Sequence, residues 1–417
     1  MNVLEKAMQD IGSGYVEEGL AQLARLEESA DHQMKYDIAE LYQELGHVEK
    51  AKKIIDELLL LYPDEGSLYA MAAELLIDLD QEDEAIEMLL EIKKGDQAFL
   101  QAQLLLADLY QMQSLDEVAE RKLLLAAKEA PEETIISYGL GEFYLERGDY
   151  IKSIPYLKKA VYAKDPLPNT HVELLLADAY SASGQFEDAL EFYEKGLKKH
   201  LDPNALFGYG FTAFQLGDYV LAIEQFEALL SLDPDYSSLY TYLAKAYEAE
   251  GRLQEAFETL EKGIQVDEFN ESLYIHAGKL RFKKQQPEDG VNWLRKVIAI
   301  NPSNVEAVQT LAAYFKHNEL YEELLELIEH IREIGEEDLI YTWYEATALK
   351  ELDHFEEALV RYQEIEQQLQ EDEDFLEEYG YFLLEYGLRE RAIEHFRKLL
   401  TLEPGRADVV ELLENLQ

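Results

Sequence analysis

No cysteine occurs among the 417 residues, so neither a disulfide framework nor a thiolate metal site is available to this chain. Long apolar stretches are missing as well. Runs such as Leu58–Tyr62 fall far short of the roughly 18 residues that suggest a membrane-spanning helix. The opening segment, MNVLEKAMQDIGSG, is charged and helix-patterned, with no basic stretch leading into an apolar one, and no secretion signal is expected. Catalytic signatures are absent too: there is no His-Glu-x-x-His pair and no Gly-Lys-Ser/Thr phosphate loop, and the nine histidines are scattered. Gly208 to Ala213 fits G-x-G-x-x-A but follows no strand, and its glycines are expected to permit close helix packing instead. Asp78, Asp80 and Glu82 have part of a calcium-loop spacing, yet Asp83 stands where that loop needs glycine. No enzyme, cofactor or metal is expected.

Positive charge is scarce. With 37 Lys and Arg against 87 Asp and Glu the net charge is -50, which repels nucleic acid and anionic lipid. A basic or neutral protein partner is favoured. Much of the acid is expected simply to solvate the outer surface.

What the chain has in abundance is a repeat. A small residue recurs at Gly19, Ala51, Ala85, Ala119, Ser153, Ala189, Ala222, Ala256, Gly290, Ala358 and Ala392, and Leu324 occupies the same register. The spacing is 34 residues at most steps. A second small column runs twelve residues earlier, from Ala7, Ala39 and Ala73 through Ala346 and Gly380. Around each pair the apolar residues follow helical spacing, as Tyr240, Leu243, Ala244 and Tyr247 do before Gly251 and Ala256 and Leu260 do after it. Each unit reads as helix, tight turn, helix, with small side chains where the two must approach closely.

This pattern resembles the tetratricopeptide repeat, a 34-residue helical hairpin, and the resemblance covers nearly the whole chain. Composition and layout are similar to the long, acidic, Tyr-rich tetratricopeptide proteins of Bacillus-type bacteria. The fold implied is all-α, a right-handed superhelical solenoid of about twelve hairpins closed by a capping helix over Ala407–Gln417. Two sub-arrays are expected, residues 1–165 and 166–417, because Lys164 to Asn169 adds two residues and two prolines to the period. Pro155 lies early in a second helix and Pro287 near the first turn of another.

In tetratricopeptide proteins the first helices line a concave groove, and the resemblance implies that the residue after the first small position points into it. That column reads Glu40, Glu74, Asp108, Glu142 and Asp178, then Phe211, then Lys245 and Lys279, then Ala313, Thr347 and Tyr381. Phe207, Phe211 and Phe214 share one helical stripe, and Lys283, Lys316 and Lys350 stand one turn along from the groove column. Tyr36, Tyr138 and Trp343 are further groove aromatics by the same reasoning. The Phe stripe is equally open to being core, and the lysines to pairing with their own acids. The Lys and Asn with which relatives of this fold hold a C-terminal carboxylate are missing: Tyr36 and Glu40, Ala70 and Glu74, and Leu104 and Asp108 stand there instead.

The function expected is a non-enzymatic protein-binding scaffold or adaptor in the bacterial cytoplasm, taking a peptide or partner helix with a basic segment. The alternative is self-assembly, copies meeting head to tail through oppositely charged groove halves.

Overall fold

The computed structural model describes residues 3–416 except 14 and 169, with the side chains of 3–5 left aside. Twenty-five helices occur among the described residues, numbered α1 (Val3–Gly12) to α25 (Ala407–Asn415) in chain order. Odd numbers are first helices of hairpins and even numbers second helices, with α25 packed on α24 (Arg389–Leu402) as the expected cap. The last expected cap residue, Gln417, lies outside the described residues.

Both small columns are buried along their whole length, Leu324 included, so the tenth hairpin forms in register like the others. The reason for smallness is visible in the hairpin of α17 (Glu271–Lys283) and α18 (Pro287–Ile300). A Cβ added to Gly290 would come within 2.5 Å of the Phe282 ring and 3.0 Å of the Gly278 carbonyl oxygen. Elsewhere the column supplies a bond as well: Ser153 donates through Oγ to the carbonyl of Gly141 at 2.7 Å, tying the two helices of one hairpin.

The turns follow one design. Five residues before the second small position the backbone turns left-handed, at Gly46, Gly148, Gly184, Gly217, Gly251 and Gly387, but also at Asp80, Ser114, Gln285, Glu319 and Asp353. The next amide then reaches back five residues, as His47 N–H does to the Tyr42 carbonyl at 2.7 Å and Arg252 N–H to Tyr247 at 2.8 Å. That bond closes the first helix in a Schellman motif, for which glycine is the natural residue. Gln285 (φ 58°) and Glu319 (φ 59°) carry a side chain in this conformation. Replacing both by glycine is expected to raise stability by about 0.5–1 kcal/mol per site, as strain relief exceeds the added freedom of the unfolded chain. Urea unfolding checks this, and a midpoint that stays or falls would contradict it.

Helix α10 (Tyr150–Val161) runs through Pro155 as one element, and Pro287 opens α18 at its first turn, where its missing donor costs nothing. Gly208 and Gly210 lie inside α13 (Pro203–Leu216), where a Cβ at Gly208 would meet the Tyr193 hydroxyl at 2.5 Å. That is the close packing their sequence suggests.

Packing divides the chain into two compact units, Met1–Leu216 and Gly217–Gln417. The division expected at residues 165 and 166 therefore falls inside the first unit. There α10 and α11 (Val172–Ala182) share one core, with Leu157 and Ala160 against Val172 and Leu176. The longer connector is absorbed between packed helices. Each unit is a stack of local cores: Ile38, Tyr42, Ile54 and Leu75 belong to one in the first unit, and Tyr362, Phe375, Tyr379 and Phe382 to one in the second.

Candidate functional site

In the first unit the first helices of successive hairpins form a single face. Helices α5 (Gly66–Ile77) and α7 (Phe99–Met112) touch, as do α9 (Thr134–Glu146) and α11, and α11 and α13. Side chains bridge further rungs. Gln43 of α3 (His32–Glu44) donates to Asp78 at 2.9 Å, Gln101 to Glu74 at 2.7 Å, and Gln111 to Glu146. The five expected carboxylates lie one on each of these first helices: Glu40 on α3, Glu74 on α5, Asp108 on α7, Glu142 on α9 and Asp178 on α11.

Their partners are neutral. Tyr138 donates to Glu142, Tyr193 to Asp178 at 2.5 Å, and Gln101 to Glu74. Among the described residues none of the five forms an ion pair. Four of them, Glu40, Asp108, Glu142 and Asp178, are shifted in the same direction. Burial, with the charges of Asp37, Glu44 and Glu74, raises Glu40 above the ordinary carboxylate range against the opposing Tyr36 bond. Burial and then Glu146 raise Asp108. Glu142 is raised by burial and by Glu146 and Asp108, with the Tyr138 bond opposing, and Asp178 by burial and Asp202, with the Tyr193 bond opposing. Burial is the largest cause at all four, and neighbouring carboxylates add to it.

The sign of this strain fixes a pH dependence. A raised carboxylate pKa means that the native state holds the proton more tightly than the unfolded chain. Native stability therefore rises as pH falls through the raised values toward the ordinary range near 4. Glu142→Gln should therefore raise the melting point at pH 7.5 by an amount worth a few tenths of a kcal/mol, and that advantage over the unaltered chain should shrink as pH falls toward 4. An advantage that is missing at pH 7.5, or that grows on acidification, would contradict the wall's electrostatics.

The second unit is built differently. Lys279 lies 2.7 Å from Glu306, Lys283 2.5 Å from Glu248, Lys316 2.8 Å from Glu378 and Lys350 2.7 Å from Glu351. Lys245 extends over the Tyr242 ring, 5.6 Å from its centroid. Four of the five groove lysines are thus matched locally. Glu248 takes His276 on its other oxygen at 2.6 Å, and burial, which would raise it, is outweighed by Lys283 and His276 so that it sits low.

A buried hub of polar bonds in this unit is Glu378 on α23 (Glu373–Glu385). It accepts from Lys316 Nζ, from Trp343 Nε1 at 3.1 Å, from Thr347 Oγ1 at 2.5 Å and from Tyr362 OH at 2.7 Å. These donors come from α19 (Val305–His317), α21 (Leu339–Glu351) and α22 (Phe355–Ile365). Burial pushes Glu378 up, but Lys316 and the hydroxyl donors outweigh it and hold the carboxyl below its usual range. Thr347 is consequently buried and Trp343 and Lys316 are only partly open, whereas Ala313 and Tyr381 are exposed. Phe207, Phe211 and Phe214 on α13 are each half-buried, and the rings of Phe207 and Phe211 stack with centroids 6.2 Å apart.

Family models for YpiA-like tetratricopeptide repeats match residues 111–164, and those for YpiA-like C-terminal tetratricopeptide repeats match 340–406. TPR repeat-containing protein YpiA of Bacillus subtilis is 40% identical over 418 residues, covering 100% of this chain and 99% of that protein. The chain belongs to the YpiA-like family of tetratricopeptide-repeat proteins. TPR repeat-containing protein MJ1428 of Methanocaldococcus jannaschii is 24% identical across 55% of this chain and 50% of its own length. Among solved structures, YrrB, a TPR protein with an unusual peptide-binding site, matches 45% of this chain and 96% of its own at 17% identity and a TM-score of 0.40. MamA matches 43% and 95% at 20% identity and a TM-score of 0.35.

Two features of this YpiA-like chain escape a reading of the groove column. One is a second acidic file one helical turn further along, Glu44, Asp78 and Glu146, legible only when the column is extended by four residues. The other is Glu378, which is one acid among 87 until its four donors are seen.

Proposed function

We propose that this protein is a non-enzymatic binding scaffold whose first unit takes a basic segment of a partner protein along the face bearing Glu40, Glu74, Asp108, Glu142 and Asp178. The observation that carries the reading is the contrast between the units. Five carboxylates in the first stand without a cation among the described residues, while most groove lysines of the second are neutralised by their own acids. A segment bearing Lys or Arg relieves that repulsion as it binds, and oriented charges speed its approach.

Self-assembly through opposite charges draws less support, since Lys279, Lys283, Lys316 and Lys350 already have partners. Phe207, Phe211 and Phe214 remain a proposed apolar contact at the end of the wall. The direct test is titration of the full chain with a lysine-rich peptide. Binding that weakens steeply with salt supports the reading, and no binding at low ionic strength overturns it.

A further inference from the structure

At the end of the wall nearest the N-terminus, a cavity of about 480 Å³ opens beside Tyr36. Its sides are Tyr36 and His32 from α3, Leu58 and Tyr62 from the end of α4 (Val48–Leu61) and Leu68 from the start of α5, with Glu65 on the rim. The apolar run Leu58–Tyr62 ends here. Tyr62 is 44% exposed, and Leu60 and Leu61 beside it are 84% and 58% exposed. The cavity wall is held in place: Tyr62 OH lies 2.6 Å from His32 Nδ1, and the two rings meet edge to face at 5.4 Å.

We propose that this cavity seats one large apolar side chain of the partner segment, an aromatic or a leucine, whose flanking residues are Lys or Arg. The inference rests on the basic-segment reading of the wall and adds its anchor. Three observations commit it to that occupant. Tyr36, Leu58, Tyr62 and Leu68 make half of the lining aromatic or aliphatic, which suits an apolar side chain, and Gln33 and Ser67 join His32 and Glu65 in its polar half. Tyr36 belongs to both features: it lines the cavity and bonds Glu40, and the charges of Glu40 and Glu74 reach its hydroxyl. Glu65 lines the cavity, Asp37 accepts from the lining Gln33 at 3.1 Å and the charge of Glu40 acts on Tyr36, while His32 already engages Tyr62, so residues beside the anchor meet negative charge. A buried aromatic anchor supplies affinity and flanking charges supply orientation, the usual division at a peptide site.

The experiment compares two labelled peptides on the full chain by fluorescence anisotropy, Ac-KKGWGKK-amide and the same peptide with glycine for tryptophan. The tryptophan peptide is expected to bind about tenfold or more tightly than the glycine peptide. Tyr62→Ala should erase that difference while leaving the glycine peptide unchanged. Ser67→Trp, which fills the cavity from its edge, should do the same with Tyr62 and its His32 bond left in place, at the loss of only the exposed Ser67–Glu65 bond. Equal binding of the two peptides to the unaltered chain overturns the anchor, as does a tenfold preference that survives both variants with intact melting curves. Failure of the wall looks different: neither peptide then responds to neutralising Glu74 and Glu142. A dimer in sedimentation that Tyr62→Ala abolishes assigns the cavity to a second copy and also overturns the proposal.

Discussion

Glu378→Ala is expected to destabilise the protein by about 3 kcal/mol, because it strips the shared acceptor from several buried or half-buried donors at once. Tyr362 is wholly buried with its hydroxyl aimed at this carboxylate, and Thr347 is 3% exposed. Neither can turn to solvent. Thr347 keeps a bond to the Trp343 carbonyl at 3.0 Å, so the cost falls mainly on Tyr362, on Trp343 Nε1 and on the Lys316 ammonium left beside them. Glu378→Gln retains an acceptor and should lose roughly half as much. Lys316→Met should lose less again, about 1 kcal/mol, since an ion pair with a partly open lysine is screened. Urea unfolding of the three variants gives the ordering, and a loss under 1 kcal/mol for Glu378→Ala would mean that the cluster is incidental to the second unit.

The other large effect is on binding. Reversing three rungs of the wall, Glu74→Lys with Asp108→Lys and Glu142→Lys, replaces attraction by repulsion at each. At about 1 kcal/mol or somewhat more per reversal, the sum is about 3–4 kcal/mol, or at least a hundredfold loss of affinity for a lysine-rich peptide. The fold should tolerate the change, and gain from it at neutral pH. Asp108 and Glu142 are pushed up partly by each other's surroundings, with Glu146 acting on both, and two lysines among these acids remove the crowding. Weaker binding together with unchanged or higher stability separates this effect from unfolding.

The fold was legible in the small columns because they record a contact every hairpin must make: Gly290 leaves no room for a side chain and Gly278 leaves little, and the same constraint recurs at the 34-residue period. The turns were half legible. Glycine marks Gly46, Gly148 and Gly251, but Asp80, Ser114 and Gln285 adopt the same left-handed conformation under a bond pattern set by the helix end. The unit boundary was not legible at all, since Gly217 turns like its counterparts and the prolines of residues 164–169 sit between helices that share a core. At the site, the acidic column could be read residue by residue because each rung repeats. The pairing of the lysines could not. Lys316 finds Glu378 at a separation of 62 residues, while Lys279 finds Glu306 at 27, and nothing in the spacing of one column predicts which acid on another helix reaches back.

The central claim is that the first unit binds a basic segment through its uncompensated carboxylates, and anisotropy titration of Ac-KKGWGKK-amide at about 50 and 200 mM salt tests it most directly. The unaltered chain should bind at low salt and lose affinity steeply at high salt, and the Glu74, Asp108 and Glu142 reversal should weaken low-salt binding at least a hundredfold. Equal affinity for both proteins, or binding indifferent to salt, would contradict the account.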